Sequence, residues 1–179
     1  NMEMPLKGFD GCPIENSAKY IQEAKQYSDK IHFAQVAHTP SVALLDTTKI
    51  TWSNCTPETV KDFSAVGYFF GTKLTNVLHC PIGIISCNYG GSRTEGWTPR
   101  ELAATYPGLD LSDSTLSKLD AQLPIILYNG MFHPIVGYSV KGFIWYQGEG
   151  NVENYDDYAT RLHHMILRWR QEFGQGNLP

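Results

Sequence analysis

An α/β fold, a three-layer α/β/α sandwich around a mainly parallel sheet, is predicted by three observations. Short apolar or alternating runs suited to strands, at residues 31–36, 81–87 and 142–146, are separated by stretches with helical spacing. The run Pro81-Ile82-Gly83-Ile84-Ile85-Ser86-Cys87 is almost wholly apolar, as in a central parallel strand covered on both faces. Strands that alternate with helices are the pattern of a parallel sheet with helices on its two sides.

The elements come in order. Asn16 or Ser17 as a cap, then Ala18, Ile21, Ala24 and Lys25 at helical spacing, predicts a helix from Asn16 to Tyr27. Ile31–Val36 alternates and is a strand, and Pro40 to Trp52 is a connection whose form the pattern leaves open. Thr56-Pro57-Glu58-Thr59 is a helix start, with a Thr cap, Pro at the first position and an acidic first turn. Val60, Phe63, Ser64, Val66, Gly67, Phe70 and Leu74 carry that helix, as one element, to about Leu78. Further helices are expected at Pro99–Thr105 and Ser112–Gln122, then a helical or irregular piece ending at Gly137. A strand at Gly142–Tyr146 and a long amphipathic helix at Tyr155–Phe173 complete the chain. With no repeat, low-complexity tract or linker, residues 1–179 are expected to form one domain.

Composition narrows the function classes. A net charge of −4, a pI near 5.8 and scattered Lys and Arg residues leave no basic face for nucleic acid. No apolar segment approaches the roughly 20 residues of a membrane helix. The chain opens on Asn1 rather than Met, which is the mark of a processed or trimmed fragment. Cys12, Cys55, Cys80 and Cys87 lack CxxC spacing and a paired His motif, so no zinc site or other metal is expected. Disulfide pairing among them stays open. The sequon Asn54-Cys55-Thr56 matters only in a eukaryotic secretory setting.

Ligand sites of such sheets form beyond the carboxyl ends of strands. Two segments leave an apolar run for a polar, Gly-rich turn: residues 84–97, which end GGSRTEGW, and residues 141–151, KGFIWYQGEGN. Paired glycines let backbone N–H groups approach a ligand oxygen. A carboxamide at the end of an extended run adds a side-chain donor, and the two together suit an oxyanion hole. A strand followed by an ordinary Gly-rich turn is the alternative reading. The Gly-Gly turn has neither GxGxxG spacing nor the Lys of a phosphate loop, so nucleotide binding is disfavoured. Arg93 is either a contact for an acidic substrate or a surface residue.

The order and spacing of NMEMPL, GGSRTEGW and KGFIWYQGEGN resemble the sialate O-acetylesterase branch of the SGNH hydrolase superfamily, whose fold is flavodoxin-like. Related carbohydrate esterases that deacetylate xylan share the pattern. In that family the first block reads Gly-Gln-Ser-Asn-Met with the serine as nucleophile, and Asn1-Met2 matches the pair after the serine. The resemblance implies a carbohydrate O-acetylesterase acting through an acetyl-enzyme, with no cofactor and an O-acetylated carbohydrate, most of all sialic acid, as partner. It assigns the oxyanion hole to the backbone N–H of Gly91 and the side-chain amide of Gln147, with Asn1 and Glu149 in support and Arg93 as a substrate contact. Asn151 is the alternative carboxamide. A periplasmic, secreted or lysosomal setting is implied by the substrate.

The same resemblance implies that the nucleophilic serine and its strand precede Asn1, that the Asp-x-x-His block supplying the base lies beyond Pro179, and that these residues alone turn over nothing. Internal substitutes are Ser64, Ser86 and Ser92 as nucleophile and His133, His163 and His164 as base, none of them in a nucleophile pattern such as GxSxG. Two alternatives stand beside the sialate reading. One is an acetylxylan esterase, the other a non-catalytic carbohydrate-binding domain of the same fold using Trp97, Trp145 or Tyr146.

Overall fold

The computed structural model describes residues 1–179, which divide into two compact units: residues 1–37 with 49–88, and residues 38–48 with 89–179. The fold is mixed α/β with one three-stranded sheet, held entirely within the first unit.

In the first unit, β1 (Ile31–Val36) is the central strand, flanked by β2 (Ile50–Asn54) and β3 (Ile82–Ser86). β1 and β3 run parallel, with Phe33 opposite Ile84, whereas β1 and β2 run antiparallel, with Ala34 opposite Trp52. β2 lies in the segment whose form the sequence left open. It is an edge strand with Trp52 exposed, so its pattern lacks the apolar run that marks a covered strand. Ile31, Phe33, Ala34 and Val36 of β1 are all buried, and Phe33 stacks on Phe63 with ring centres 3.9 Å apart. Leu6, Cys55, Val60, Ala65 and Tyr68 complete this core.

The helix α1 (Ser17–Glu23) continues as a 3-10 turn to Tyr27, as expected. The helix expected from Thr56 to Leu78 is two: α2 (Pro57–Val60) and α3 (Ala65–Leu78). The Thr56 cap is as expected, its hydroxyl accepting from the Thr59 N–H at 3.3 Å. The break has a tertiary cause. Leu6 and Lys7 donate their N–H groups to the carbonyls of Phe63 and Lys61, both at 2.9 Å, and Ala65 donates to Met4. Those groups are withdrawn from an i→i+4 ladder, and Ser64 starts a new helix by accepting from the Gly67 N–H at 3.1 Å.

The second unit is built around α6 (Tyr155–Phe173), whose bounds, like those of β1, are as the sequence predicts. Asp156 and Asp157 stand at its positive end, and Gly174 ends it in the left-handed region at φ 61°. Its buried residues, Arg161, Met165, Trp169 and Phe173, recur every four residues and form one stripe. Phe132 stacks on Trp169 at 4.0 Å, and Phe143 meets Phe173 edge-on at 5.1 Å. Two helices are shorter than expected, α4 (Arg100–Ala103) and α5 (Asp113–Leu116). The piece leading to Gly137 is buried and helical, with a π turn at Tyr128–Phe132 and a 3-10 turn at His133–Ile135.

Residues 142–146 belong to no strand, which corrects the strand expected there. Phe143 donates its N–H to the carbonyl of Pro179 at 3.0 Å. Phe143 and Trp145 turn to the α6 aromatics, Trp145 lying edge-on to Trp169 at 5.7 Å. The apolar run read as a strand is thus satisfied by side-chain packing on a helix.

Candidate active site

The second unit brings the two Gly-rich turns together. Tyr89–Ser92 is a tight turn closed by the Ser92 N–H donating to the Tyr89 carbonyl at 3.4 Å. Gly91 sits in it at φ 74°, with open space where a Cβ would stand. This is a conformation that favours glycine. A 3-10 turn, Thr94–Trp97, comes directly after it. Trp97 is only 3% exposed and its indole N–H donates to the Ser92 hydroxyl at 3.0 Å. Trp169 of α6 in turn donates to the Trp97 carbonyl at 3.1 Å.

The third block enters on Gln147. Its carbonyl accepts from the Tyr158 hydroxyl of α6 at 2.7 Å. Its side-chain nitrogen donates to the Ser92 carbonyl at 2.9 Å and to Asn151 Oδ1 at 2.8 Å, and its side-chain oxygen accepts from the Thr94 hydroxyl at 3.1 Å. Both N–H groups of the carboxamide are therefore engaged within the site. Gly150 makes the close approach possible, since a Cβ there would lie 2.6 Å from the Ser92 carbonyl oxygen.

Behind these loops lies a buried polar chain. Asn151 is 2% exposed. Its Oδ1 accepts from the Thr94 N–H at 3.0 Å, and its Nδ2 donates to Glu95 Oε2 at 2.9 Å. The other Glu95 oxygen pairs with Arg161 of α6, the two side chains being 3% and 7% exposed. Arg161 also donates to Asp157 at 2.8 Å, and its guanidinium lies 5.2 Å from the Tyr106 ring centre. Burial alone would lower the pKa of Arg161, but hydrogen bonds to Glu95 and Asp157 and their charges more than offset it and hold it above its ordinary value.

Gly91 and Gln147 are thus brought to one place, joined through Ser92. Glu149, itself exposed, opens the 3-10 turn Glu149–Asn154 on the same loop. Arg93 pairs with Glu153 at 3.2 Å, an intramolecular partner for a side chain that was a candidate substrate contact. Asn1 belongs to the first unit, where its carbonyl accepts from the Met4 N–H at 3.2 Å. Asn151, the alternative carboxamide, is an interior brace. Sequence reasoning missed Thr94, Glu95 and Arg161. Glu95 lay inside a block already singled out, but nothing in the pattern linked it to Arg161, 66 residues away.

The internal serines and histidines have other partners. Ser64 caps α3, Ser86 accepts from Asn88 at 2.6 Å, and Ser92 accepts from Trp97. His133 bonds the Leu45 carbonyl at 2.9 Å, and His164 meets the Tyr106 hydroxyl at 3.4 Å. Of the three aromatic residues considered for sugar stacking, Trp97 and Trp145 pack inward and only Tyr146 is well exposed, at 55%.

Comparison with known proteins agrees with this architecture. The family described as carbohydrate esterase, sialic acid-specific acetylesterase, matches residues 19–179. The sialate O-acetylesterase of Homo sapiens is 34% identical over 135 residues, covering 72% of this chain and 26% of that protein. The sialate O-acetylesterase of Rattus norvegicus is 28% identical, covering 98% of this chain and 38% of that protein. A crystal structure of a carbohydrate acetylesterase from Xanthomonas citri superposes with a TM-score of 0.84 at 32% identity, over 99% of this chain and 38% of that one. The chain spans between a quarter and two fifths of the length of these relatives. It belongs to the sialic acid-specific acetylesterase family of carbohydrate esterases.

Proposed function

We propose that these residues furnish the oxyanion-stabilising side of a serine esterase that removes O-acetyl groups from carbohydrate, sialic acid above all. The observation that carries the reading is the junction of the two Gly-rich turns, where the Gln147 carboxamide lies against the Ser92 carbonyl at 2.9 Å beside Gly91. Family membership supports the chemistry, and the activity for which the relatives are named supports the substrate class.

In this mechanism a serine hydroxyl attacks the acetyl carbonyl while a histidine of an Asp-x-x-His block takes its proton. The carbonyl oxygen becomes an alkoxide, stabilised by the N–H of Gly91, a side-chain N–H of Gln147 and the N–H of the serine. The carbohydrate hydroxyl leaves with the proton, and water then releases acetate from the acetyl-enzyme. For Gln147 to act, one of its N–H groups turns from Ser92 or Asn151 toward the alkoxide. Asn1 and Glu149 support this arrangement, and Arg93 becomes a substrate contact by exchanging Glu153 for an acidic group of the sugar. The reading includes a mainly parallel sheet in a three-layer sandwich, and a periplasmic, secreted or lysosomal setting.

The test is steady-state hydrolysis by the full-length protein of 4-nitrophenyl acetate, O-acetylated sialic acid and acetylated xylan. Gln147→Ala is expected to lower kcat by about 10²-fold with little change in KM. An unchanged kcat removes Gln147 from the oxyanion hole, and preference for acetylated xylan moves the substrate to the other branch.

A further inference from the structure

Glu95 and Arg161 have no assigned part in the proposed chemistry, yet they anchor the polar side chains behind it. We infer that the Glu95–Arg161 pair is a positioning device that dictates which way the Gln147 carboxamide faces. Its catalytic consequence rests on the esterase reading above, whereas its geometric content does not.

Donor and acceptor types decide the orientation. An amide side chain can turn over by 180° at little cost unless its neighbours are of fixed type. Asn151 has two such neighbours. The Thr94 backbone N–H can only donate, so it selects the Asn151 oxygen at 3.0 Å. An ionised Glu95 can only accept, so it selects the Asn151 nitrogen at 2.9 Å. Asn151 therefore shows its oxygen to Gln147, and Gln147 must answer with its nitrogen, at 2.8 Å. The Ser92 carbonyl, also acceptor-only, selects the same nitrogen. The Thr94 hydroxyl then takes up the Gln147 oxygen. The orientation of the carboxamide is passed outward from a carboxylate deeper in the structure.

Arg161 holds that carboxylate in place by pairing with the oxygen that Asn151 does not use. The pair is nearly inaccessible to water, and Arg161 is itself fixed by Asp157 and the Tyr106 ring. A buried ion pair is a poor source of stability compared with apolar packing of the same shape. An orienting role accounts for the pair's presence where simple cohesion does not. Without the carboxylate, only the neutral Thr94 N–H and Ser92 carbonyl would hold the two amides in this sense, and a turned Gln147 would present its oxygen toward the turn that holds Gly91.

Full-length protein labelled with 15N-glutamine separates orientation from activity. In the unsubstituted protein the Gln147 side-chain protons are expected to exchange slowly with solvent. In Glu95→Gln, which keeps shape but can donate as well as accept, their protection should fall at least about tenfold while the backbone amides of α6 change by less than about threefold. Acetyl-ester hydrolysis should show kcat lowered about tenfold with KM within about twofold. Arg161→Lys, which keeps the charge and loses the fork to Asp157, is the second variant and carries the test if Glu95→Gln does not fold. Unchanged Gln147 protection in a folded variant overturns the proposal. So does equal loss of protection at Gln147 and throughout α6, which is what a merely cohesive pair gives. If protection falls selectively while Gln147→Ala leaves kcat untouched, the positioning device stands and the oxyanion role of Gln147 is what fails.

Discussion

Asn151 donates its side-chain nitrogen to Glu95 at 2.9 Å, and both residues are 2% exposed. A neutral amide thus bridges a buried ion pair to a loop that reaches the site. The contact stabilises only as long as one side donates and the other accepts.

Asn151→Asp turns this contact into two facing carboxylates. It is expected to destabilise the second unit by about 3 kcal/mol at pH 7. The loss should shrink as pH falls, because one carboxyl of a facing pair takes up a proton well above its ordinary pKa. Urea unfolding followed by tryptophan fluorescence at pH 7 and pH 5 measures both effects, and a loss that grows on acidification contradicts the assignment.

Gly150 and Gly91 predict different costs for the same added methyl. At Gly150 the new Cβ would stand 2.6 Å from the Ser92 carbonyl oxygen, so backbone must move. Gly150→Ala should cost about 2–3 kcal/mol and separate Gln147 from Ser92. Gly91→Ala meets open space and loses only through the left-handed backbone, about 1 kcal/mol. Reversal of that order in denaturant midpoints would show that the turns do not meet as described.

Trp169 joins the aromatic cluster to the site, through stacking on Phe132 and its N–H bond to the Trp97 carbonyl. Trp169→Ala is expected to lower stability by about 3–5 kcal/mol, and Trp169→Phe by roughly half as much. Thermal unfolding of the two variants gives the comparison.

Cys12 and Cys80 are exposed, whereas Cys55 is fully buried, and all four thiols are free. Burial pushes the Cys55 and Cys87 thiols up to about 12. In the unfolded chain a thiol ionises from about pH 8.5. The raised folded value therefore contributes stability that is complete below about pH 8.5 and is lost as pH climbs toward 12. At pH 10 the loss through Cys55 is about 2 kcal/mol. Cys55→Ala should flatten the decline in stability between about pH 8.5 and about pH 10.5. Ellman's reagent at about pH 8 should modify Cys12 and Cys80 well before Cys55, and labelling at equal rates would contradict this burial.

Much of this was legible in the chain itself. The bounds of α6 come from an acidic first turn, an apolar stripe every four residues and a glycine just beyond. The Thr56 cap and the strands at 31–36 and 82–86 carry equally local signals. Three blocks in order were enough to indicate the family, since each is contiguous. What failed to show was everything decided at a distance. The break between α2 and α3 exists because Leu6 and Lys7, more than fifty residues upstream, take the carbonyls a continuous helix would use. The run 142–146 is apolar as a covered strand is, but aromatic residues of α6 rather than a neighbouring strand pack against it.

The sequence by itself determined the family and several local elements, because turn glycines, caps and periodic apolar faces act over a few residues. Tertiary structure alone decided how those segments are aimed. The Gln147 carboxamide meets Ser92, Thr94 and Asn151, and Asn151 in turn meets a carboxylate paired with an arginine 66 residues away. Hydrogen-bond polarity is settled by which groups meet in space, and no spacing along the chain encodes it.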